Sequence, residues 1–594
     1  MKRRLLFFAS SLVLAALSQV QVNAASNTWT GSTNSWDLTS LAWTSPTIWS
    51  DGDDGIFGAA GAGTVMMNDN ITVHNQTFNA AGYTIVSSGK ILTLAGTTPT
   101  ITVNANSTNA AALAGTNGLT IQGTGVLVLQ GDPAAAVGNS YTGGTYVKGG
   151  TVVLDATGAL NNGTSYAVDS IEALDAGATV KFNAPFNGTI FDTVRDQIGT
   201  HSATFVSHLH LTGGTFDMND DPKKQHVPVP DGNGLITNTG TNVQAGVIMV
   251  ADGSNHVFSG VIADGGPLVG DNIAGGPTPQ GPGRQIGIVS FAAAINGGGG
   301  VLTLSGSNTY SGSTRIDQGA TIKLVGNGTI GFPTATGSLT GPLRIQNNCA
   351  LDLNGHNQTI ALMTSGQANG RVYNSAACTV STLTVGYGNE QANRTAIMQY
   401  IDNLGTGGLL AIRKVATGPA FFLPQGGPAA TNCAQTLSGV NTYSGDTTVA
   451  GGYLSFINTT AVSSNSAFRI YTTAWQPAPQ TNCSLVLNYT GTAPVRQLWI
   501  DGVQQPNGVY GAGTPGIEPS STGTITVTGY APVVLGYSVG TGDVTLSWAG
   551  VYKLQAQTNS LSGTWSDYPG GGCSPVIAPI DPANQQVYFR LSTY

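Results

Sequence analysis

Gly300-Val-Leu-Thr-Leu-Ser-Gly-Ser-Asn308-Thr-Tyr310-Ser-Gly312-Ser-Thr314-Arg-Ile316-Asp-Gln-Gly319-Ala-Thr-Ile322-Lys-Leu324 reads as one coil of a stacked β-structure. Two strand-like runs, Val301 to Leu304 and Thr321 to Leu324, flank a segment dense in turn residues. Short β-branched runs between turn signals belong to an all-β chain. Thr314 and Ile316 share one side of a strand, as do Ile322 and Leu324. Asn308 is expected to bend the chain through local amide bonds. Gly312 and Gly319 are expected at corners where a Cβ would clash. One coil cannot bury its own apolar edge, so coils must stack and the array becomes the folding unit.

The pattern returns twice, as Asn139-Ser-Tyr141-Thr-Gly143-Gly-Thr145-Tyr-Val147 and Asn441-Thr-Tyr443-Ser-Gly445-Asp-Thr447-Thr-Val449, with Gly149 and Gly451 in the place of Gly319. Such repetition selects a solenoid over a sandwich. The turns are too short for crossover helices, and stacked coils run strands parallel without them. The predicted fold is all-β: a long right-handed parallel β-helix (β-solenoid) with a small C-terminal β-domain. At 20 to 25 residues per coil the array would hold roughly 20 coils and form a rod on the order of 100 Å.

Composition narrows the function. Charged residues make up 8% of the chain, against ~25% in ordinary soluble domains, while apolar content is 40% and Gly reaches 83 of 594. A core can be buried, and hydroxyl and amide groups must supply solubility. A net charge of −8 gives no basic footprint for nucleic acid. Met1-Lys2-Arg3-Arg4, the apolar run Leu5 to Leu17 and Val22-Asn23-Ala24 read as a secretory signal peptide over 1–24, and no later segment is long and apolar enough for a membrane span. The expected location is secreted or cell-surface. Five cysteines, all between Cys349 and Cys573, allow pairing with one left over, or a stack of Cys433 and Cys483 in neighbouring coils.

The segment Leu-Thr-Leu-Ser-Gly-x-Asn-Thr-Tyr-Ser-Gly-x-Thr resembles the autotransporter-associated β-strand repeat, also called the passenger-associated transport repeat. Phe258 to Gly266, Leu351 to Ile360 and Leu498 to Gly511 resemble stretches that accompany it in large exported bacterial proteins. The resemblance implies a β-helical architecture and leaves the ligand open. An autotransporter of this kind ends in a translocator barrel with alternating strands of about ten residues. Here the repeats run almost to residue 530, so a chain without that barrel is expected. Residues 25–100 read as an N-terminal cap and first coils, 101–530 as the solenoid, and 531–594 as a small β-domain. That domain resembles the short C-terminal domains ending in Phe-Arg-Leu on exported proteins of environmental bacteria. Its expected role is to cap the open end, with surface attachment as the alternative. Val544 to Trp548 and Tyr552 to Thr558 are expected as two strands joined by Ala549-Gly550.

Chemistry concentrates between 192 and 232, which hold nine of the 50 charged residues and four of the seven histidines. Asp217, Asp220 and Asp221 offer hard oxygen ligands for Ca²⁺. His208 and His210 point the same way on a strand and suit a shared metal. Arg195 would complete a binding or catalytic set with Asp217 and Asp221, and a solvated loop between coils is the plain alternative. Asp51-Gly-Asp53-Asp54-Gly55 reads as a turn, Trp29, Trp36, Trp43 and Trp49 as a buried cap, and the repeat tyrosines as parts of the coil. Catalytic signatures are missing from the sequence. The expected function is a structural or adhesive scaffold without cofactor, its partners polysaccharide or cell-surface components. The alternatives are a carbohydrate-binding accessory protein and a β-helix polysaccharide lyase or glycosidase.

Overall fold

The computed structural model describes residues 24–592 except 45, 157–165, 184–197, 199–207, 220–225, 242–244, 252, 267–285, 294–299, 318, 332–342, 347, 361–362, 364–368, 388–393, 397–398, 401–407, 418–433, 473–482, 530–533, 549–551 and 559–560. The signal-peptide segment therefore lies outside the described residues.

From Ser26–Thr28 onward, strands stack in parallel, coil over coil, and the longest sheet holds 24 of them, enough to run unbroken through most of the first 400 residues. The stacking is in register. Leu302 lies against Ile322, Ile322 against Leu351 and Leu351 against Val372, and all four are buried. Each such row adds about 1.5–3 kcal/mol of burial per side chain. The rung is not constant. Ile101 pairs with Ile121 and Ile121 with Val147, but Asn255 pairs with Val301, 46 residues on. Fewer coils than a uniform repeat would give are the result.

The repeat residues work between coils. Asn308 is buried; its Oδ1 accepts from the Ile262 N–H (2.8 Å) in the coil before, and its Nδ2 donates to the Thr329 carbonyl (2.8 Å) in the coil after. Asn139 does the same with Leu113 N (2.9 Å) and the Ala167 carbonyl (2.6 Å), and Asn441 donates to the Ala461 carbonyl (2.6 Å). The asparagine is thus an inter-coil staple, not the local bend expected of it: a stacked backbone presents unpaired groups above and below, where one amide can reach both. Tyr141, Tyr310 and Tyr443 are fully buried and share hydrogen bonds with Thr145, Thr314 and Thr447 at 2.7, 2.6 and 2.6 Å. Burial pushes the Tyr310 hydroxyl far above its ordinary range, so it stays protonated. Gly312 is required for a different reason than a corner: a Cβ there would stand 2.4 Å from the Ile286 carbonyl oxygen of the adjacent coil. Gly319 does turn the chain at φ +82°, while in the other copies that conformation falls on Gly150 and Gly452, one residue past Gly149 and Gly451.

Both ends of the solenoid are closed by the chain itself. Trp29, Trp36, Trp43 and Trp49 are buried and packed edge-to-face or tilted, with centroids 4.6–5.4 Å apart, over Phe57, which stacks on Phe78 at 4.8 Å. This plugs the first coil with aromatic rings. Asp37 ties the plug's loop: its carboxylate accepts from the N–H groups of Thr39 (2.8 Å) and Ser40 (2.6 Å), the Ser40 hydroxyl (2.7 Å) and the Ser35 hydroxyl. Burial raises its pKa, but these donors outweigh that and hold the carboxyl well below its ordinary 3.8. In the acidic turn, Asp51 accepts from Thr72 N (2.8 Å) and Asp54 from His74 and Asn75, so these carboxylates bind the next coil. At the far end Gln497–Ile500 folds back on Val503–Gln504 through Asp501 and Gly502, both at positive φ (47° and 80°). That is the two-residue hairpin Asp-Gly favours. Gly508–Tyr510 then covers Thr524–Val527 in antiparallel fashion, shielding an edge that would otherwise template further strands.

The residues after Val534 have their own small core of Leu546, Leu554, Val576 and Ala578. Asp543–Ser547 and Lys553–Thr558 follow each other but belong to different three-stranded antiparallel sheets. A disulfide joins Cys378 to Cys573, 195 residues apart, and Cys349 and Cys483 are buried thiols. The proposed Cys433 partner of Cys483 lies outside the described residues. This bond ties the C-terminal unit to the flank of the solenoid at a coil well before the last, so the open-end position expected for it is instead filled by the two hairpin returns.

Candidate functional site

Leu209–Asp217 carries the centre of the charged stretch. Leu209 and Leu211 point into the core and are buried, which turns His208 and His210 outward on the same face. Their Nδ1 atoms take opposite partners. His208 meets Glu172 Oε2 at 3.0 Å in the preceding coil, and His210 meets Asp231 Oδ1 at 2.5 Å in the following one. The register explains the pairing, because Ile171 lies against Leu209 and His210 against Asp231. Gly232 is set first by the backbone, at φ +78° with a Cβ that would stand 2.2 Å from the Leu211 carbonyl oxygen, and it also leaves room for the imidazole beside it.

The result is an outward row, Glu172, His208 with His210, then Asp231, across three adjacent strands. Burial raises the Glu172 pKa, but hydrogen bonds from Ser170 (2.5 Å) and His208 and the nearby charges of His208 and His210 outweigh it and bring the carboxyl below its usual range. The imidazoles are 46% and 41% exposed, so the pairs are solvated cross-links between coils rather than a closed reaction site.

Asp217 does not join this row. It is buried at the far end of the strand, where its carboxylate accepts from the N–H groups of Asn219 (3.0 Å) and Thr239 (2.9 Å) and from the Thr239 hydroxyl (2.5 Å). Its oxygens are spent on holding a turn to the next coil. Arg195 and Asp221, the remaining two of the five proposed binding residues, lie outside the described residues, as do Asp220, Lys223 and Lys224. Among the described residues no three His, Cys, Asp or Glu side chains gather to hold a metal ion, and the described donors do not make a Ca²⁺ cage. Glu172 was missed because its partner sits 36 residues away, and only the coil register brings the two together.

Among the described residues no helix is long and apolar enough to cross a membrane. The model of the passenger-associated transport repeat matches residues 119–154, 297–323 and 434–456. These are the three coils held by Asn139, Asn308 and Asn441, so the chain carries three passenger-associated transport repeats. A similar protein is the Adhesin BmaC autotransporter of Brucella suis biovar 1 (strain 1330), 27% identical over an alignment of 360 positions that covers 56% of this chain. The matched region spans only 9% of that adhesin's length. No solved structure matches the chain.

Proposed function

We propose that this chain is an exported, surface-displayed adhesive rod, working by reach and repeated weak contact rather than by turnover. The observation that carries the reading is that the three passenger-type repeats are full coils of one parallel solenoid, stapled to their neighbours by the same buried asparagine. The likeness to an adhesin over more than half of the chain supports it. So does the outer surface. Thr77, Thr102 and Gln122 stack in register with their side chains outward, and Gln122 Nε2 donates to Thr102 Oγ1 at 3.1 Å. Asn104 Nδ2 donates to Asn79 Oδ1 at 2.9 Å in another such row. Rows of hydroxyl and amide groups repeating every ~4.8 Å offer a glycan or a cell-surface component many equivalent weak contacts, which sum by multivalency.

The test has two arms. Protease added to intact cells that express the chain should remove it while cytoplasmic proteins survive. Beads coated with the purified protein should then be retained on polysaccharide or cell layers more strongly than beads coated with albumin. A chain protected from external protease, or retention no better than albumin, overturns the reading.

A further inference from the structure

The C-terminal unit is joined covalently to the solenoid at two places. The chain enters it from Thr524–Val527 at the last coil, and Cys573 bonds it to Cys378, on the turn that precedes Val380–Tyr387. Val380–Tyr387 pairs with Leu409–Thr417, and the ladder continues through Thr447–Val449 and Ala467–Ile470 to Gln497–Ile500. Four rungs at ~4.8 Å put the bonded turn roughly 20 Å back along the rod from the last of these strands. The unit therefore lies along the flank as a strap. Tyr552, just before Lys553–Thr558, lines a cleft together with Thr382, Thr448 and Arg469 of the outward ladder. The strap thus covers part of that face.

No common core welds the strap to the rod. Leu546, Leu554, Val576 and Ala578 form one buried cluster, with Trp548, Tyr568 and Phe589 packed against it, and the solenoid core is a separate cluster. Parts of a chain that share no large apolar interface move relative to one another. A second covalent link keeps the strap at its place by holding its effective concentration there high.

That link is open to attack. Cys378 is exposed, on a turn at φ +62°, and Cys573 is only partly buried, directly after Gly570-Gly571-Gly572. Neither cysteine belongs to a buried cluster. Cys349 and Cys483 are the contrast, since both are buried in the solenoid and burial pushes their thiols above the ordinary range. Accessible disulfides are the ones that exchange, whereas buried thiols are inert.

We propose that the Cys378–Cys573 bond is a redox-sensitive latch, which when closed holds the C-terminal unit over the outward ladder and when opened by a small dithiol uncovers that face. The unit then stays attached only through the chain that follows Val527, and both parts remain folded. A thiolate of the dithiol attacks the exposed Cys378 sulfur, and a mixed disulfide forms as the protein S–S bond breaks. Cys573 departs as a thiolate and takes up a proton. The second thiolate of the reductant attacks the mixed disulfide, closes a cyclic disulfide and releases Cys378, which is protonated in turn. Two electrons pass from the dithiol to the protein.

The test treats the full mature chain with dithiothreitol in native buffer, blocks the new thiols with iodoacetamide and removes the reagents. Peptide mapping should find Cys378 and Cys573 alkylated and Cys349 and Cys483 unmodified. Small-angle scattering should show a longer maximum dimension than in the oxidised chain, and hydroxyl-radical oxidation of Tyr552 should rise. Hydrogen-exchange protection of Leu409–Thr417 and Lys553–Thr558 should persist, which separates release from unfolding. The double variant Cys378→Ser with Cys573→Ser should match the opened form without any reductant. A bond that yields only in denaturant, or alkylation of the buried thiols alongside it, overturns the proposal. So does a reduced chain that keeps the oxidised scattering curve and Tyr552 reactivity, or one that loses protection in either set of strands.

Discussion

Asn308 bridges three coils with one side chain, and that arrangement ranks the repeat residues energetically. Asn308→Ala leaves the buried Ile262 N–H without its partner, at about 1–3 kcal/mol, and also strips the part-buried Thr329 carbonyl of its donor. Tyr310→Phe removes a single hydroxyl pair with Thr314, worth about 1 kcal/mol. Thermal unfolding should therefore fall further for Asn308→Ala than for Tyr310→Phe, and the reverse order would refute the staple. Asp37 makes a pH-dependent contribution. Its folded pKa is depressed below 3.8, so its stabilisation is fully present above that value and is lost as the pH falls through the lower folded value. Compared by thermal melts, wild type should exceed Asp37→Asn most at neutral pH, and the gap should begin to narrow as the pH falls below the ordinary 3.8 and go on narrowing towards the lower folded value. A gap that stays constant into acid would show that the charge of Asp37 does not matter.

At the scale of elements, the two closures cover ends whose unpaired backbone groups would otherwise template further strands. Trp43 sits at the centre of the aromatic plug, touching Trp29, Trp36, Trp49 and Phe57. Trp43→Ala should cost about 3–5 kcal/mol of local stability and raise aggregation on warming, measured by light scattering alongside hydrogen exchange in Ser26–Thr28 and Asp54–Phe57. The strands themselves were legible because their alternation is local: Val301–Leu304 and Thr321–Leu324 declare an inward and an outward face within four residues. The N-terminal plug was legible for the same reason, since four tryptophans in twenty-one residues are too many for a surface. Contacts between coils were not. His208 with Glu172, Asn308 with Thr329 and Cys378 with Cys573 depend on how many residues each coil spends on its loops, and the spacing between paired rungs varies from 19 to 46. The proposed grouping of His208 and His210 with Asp217 fails on burial, because the seventh residue after His210 lies at the end of the strand and caps a turn inside the molecule.

The whole molecule is a stack whose only covalent shortcut is the Cys378–Cys573 bridge among the described cysteines. Such bonds persist in oxidising compartments, which accords with a protein working outside the cell. The ladder hydrogen bonds run along the rod and the strands across it. A pull on the two ends therefore loads one rung at a time, as a zip opens tooth by tooth, and each coil yields in turn. The bridge changes the load path. Tension that reaches Cys378 passes through sulfur to Cys573, 195 positions on, and bypasses the residues between them. Single-molecule stretching should show a staircase of small extensions from the coils before Cys378, and the later coils should add length only after reduction; full extension without reductant would rule this out. A tether attached at its first coil and gripped beyond Cys573 would thus lengthen like a shock absorber over one part, while the coils inside the bypassed part keep their shape under strain.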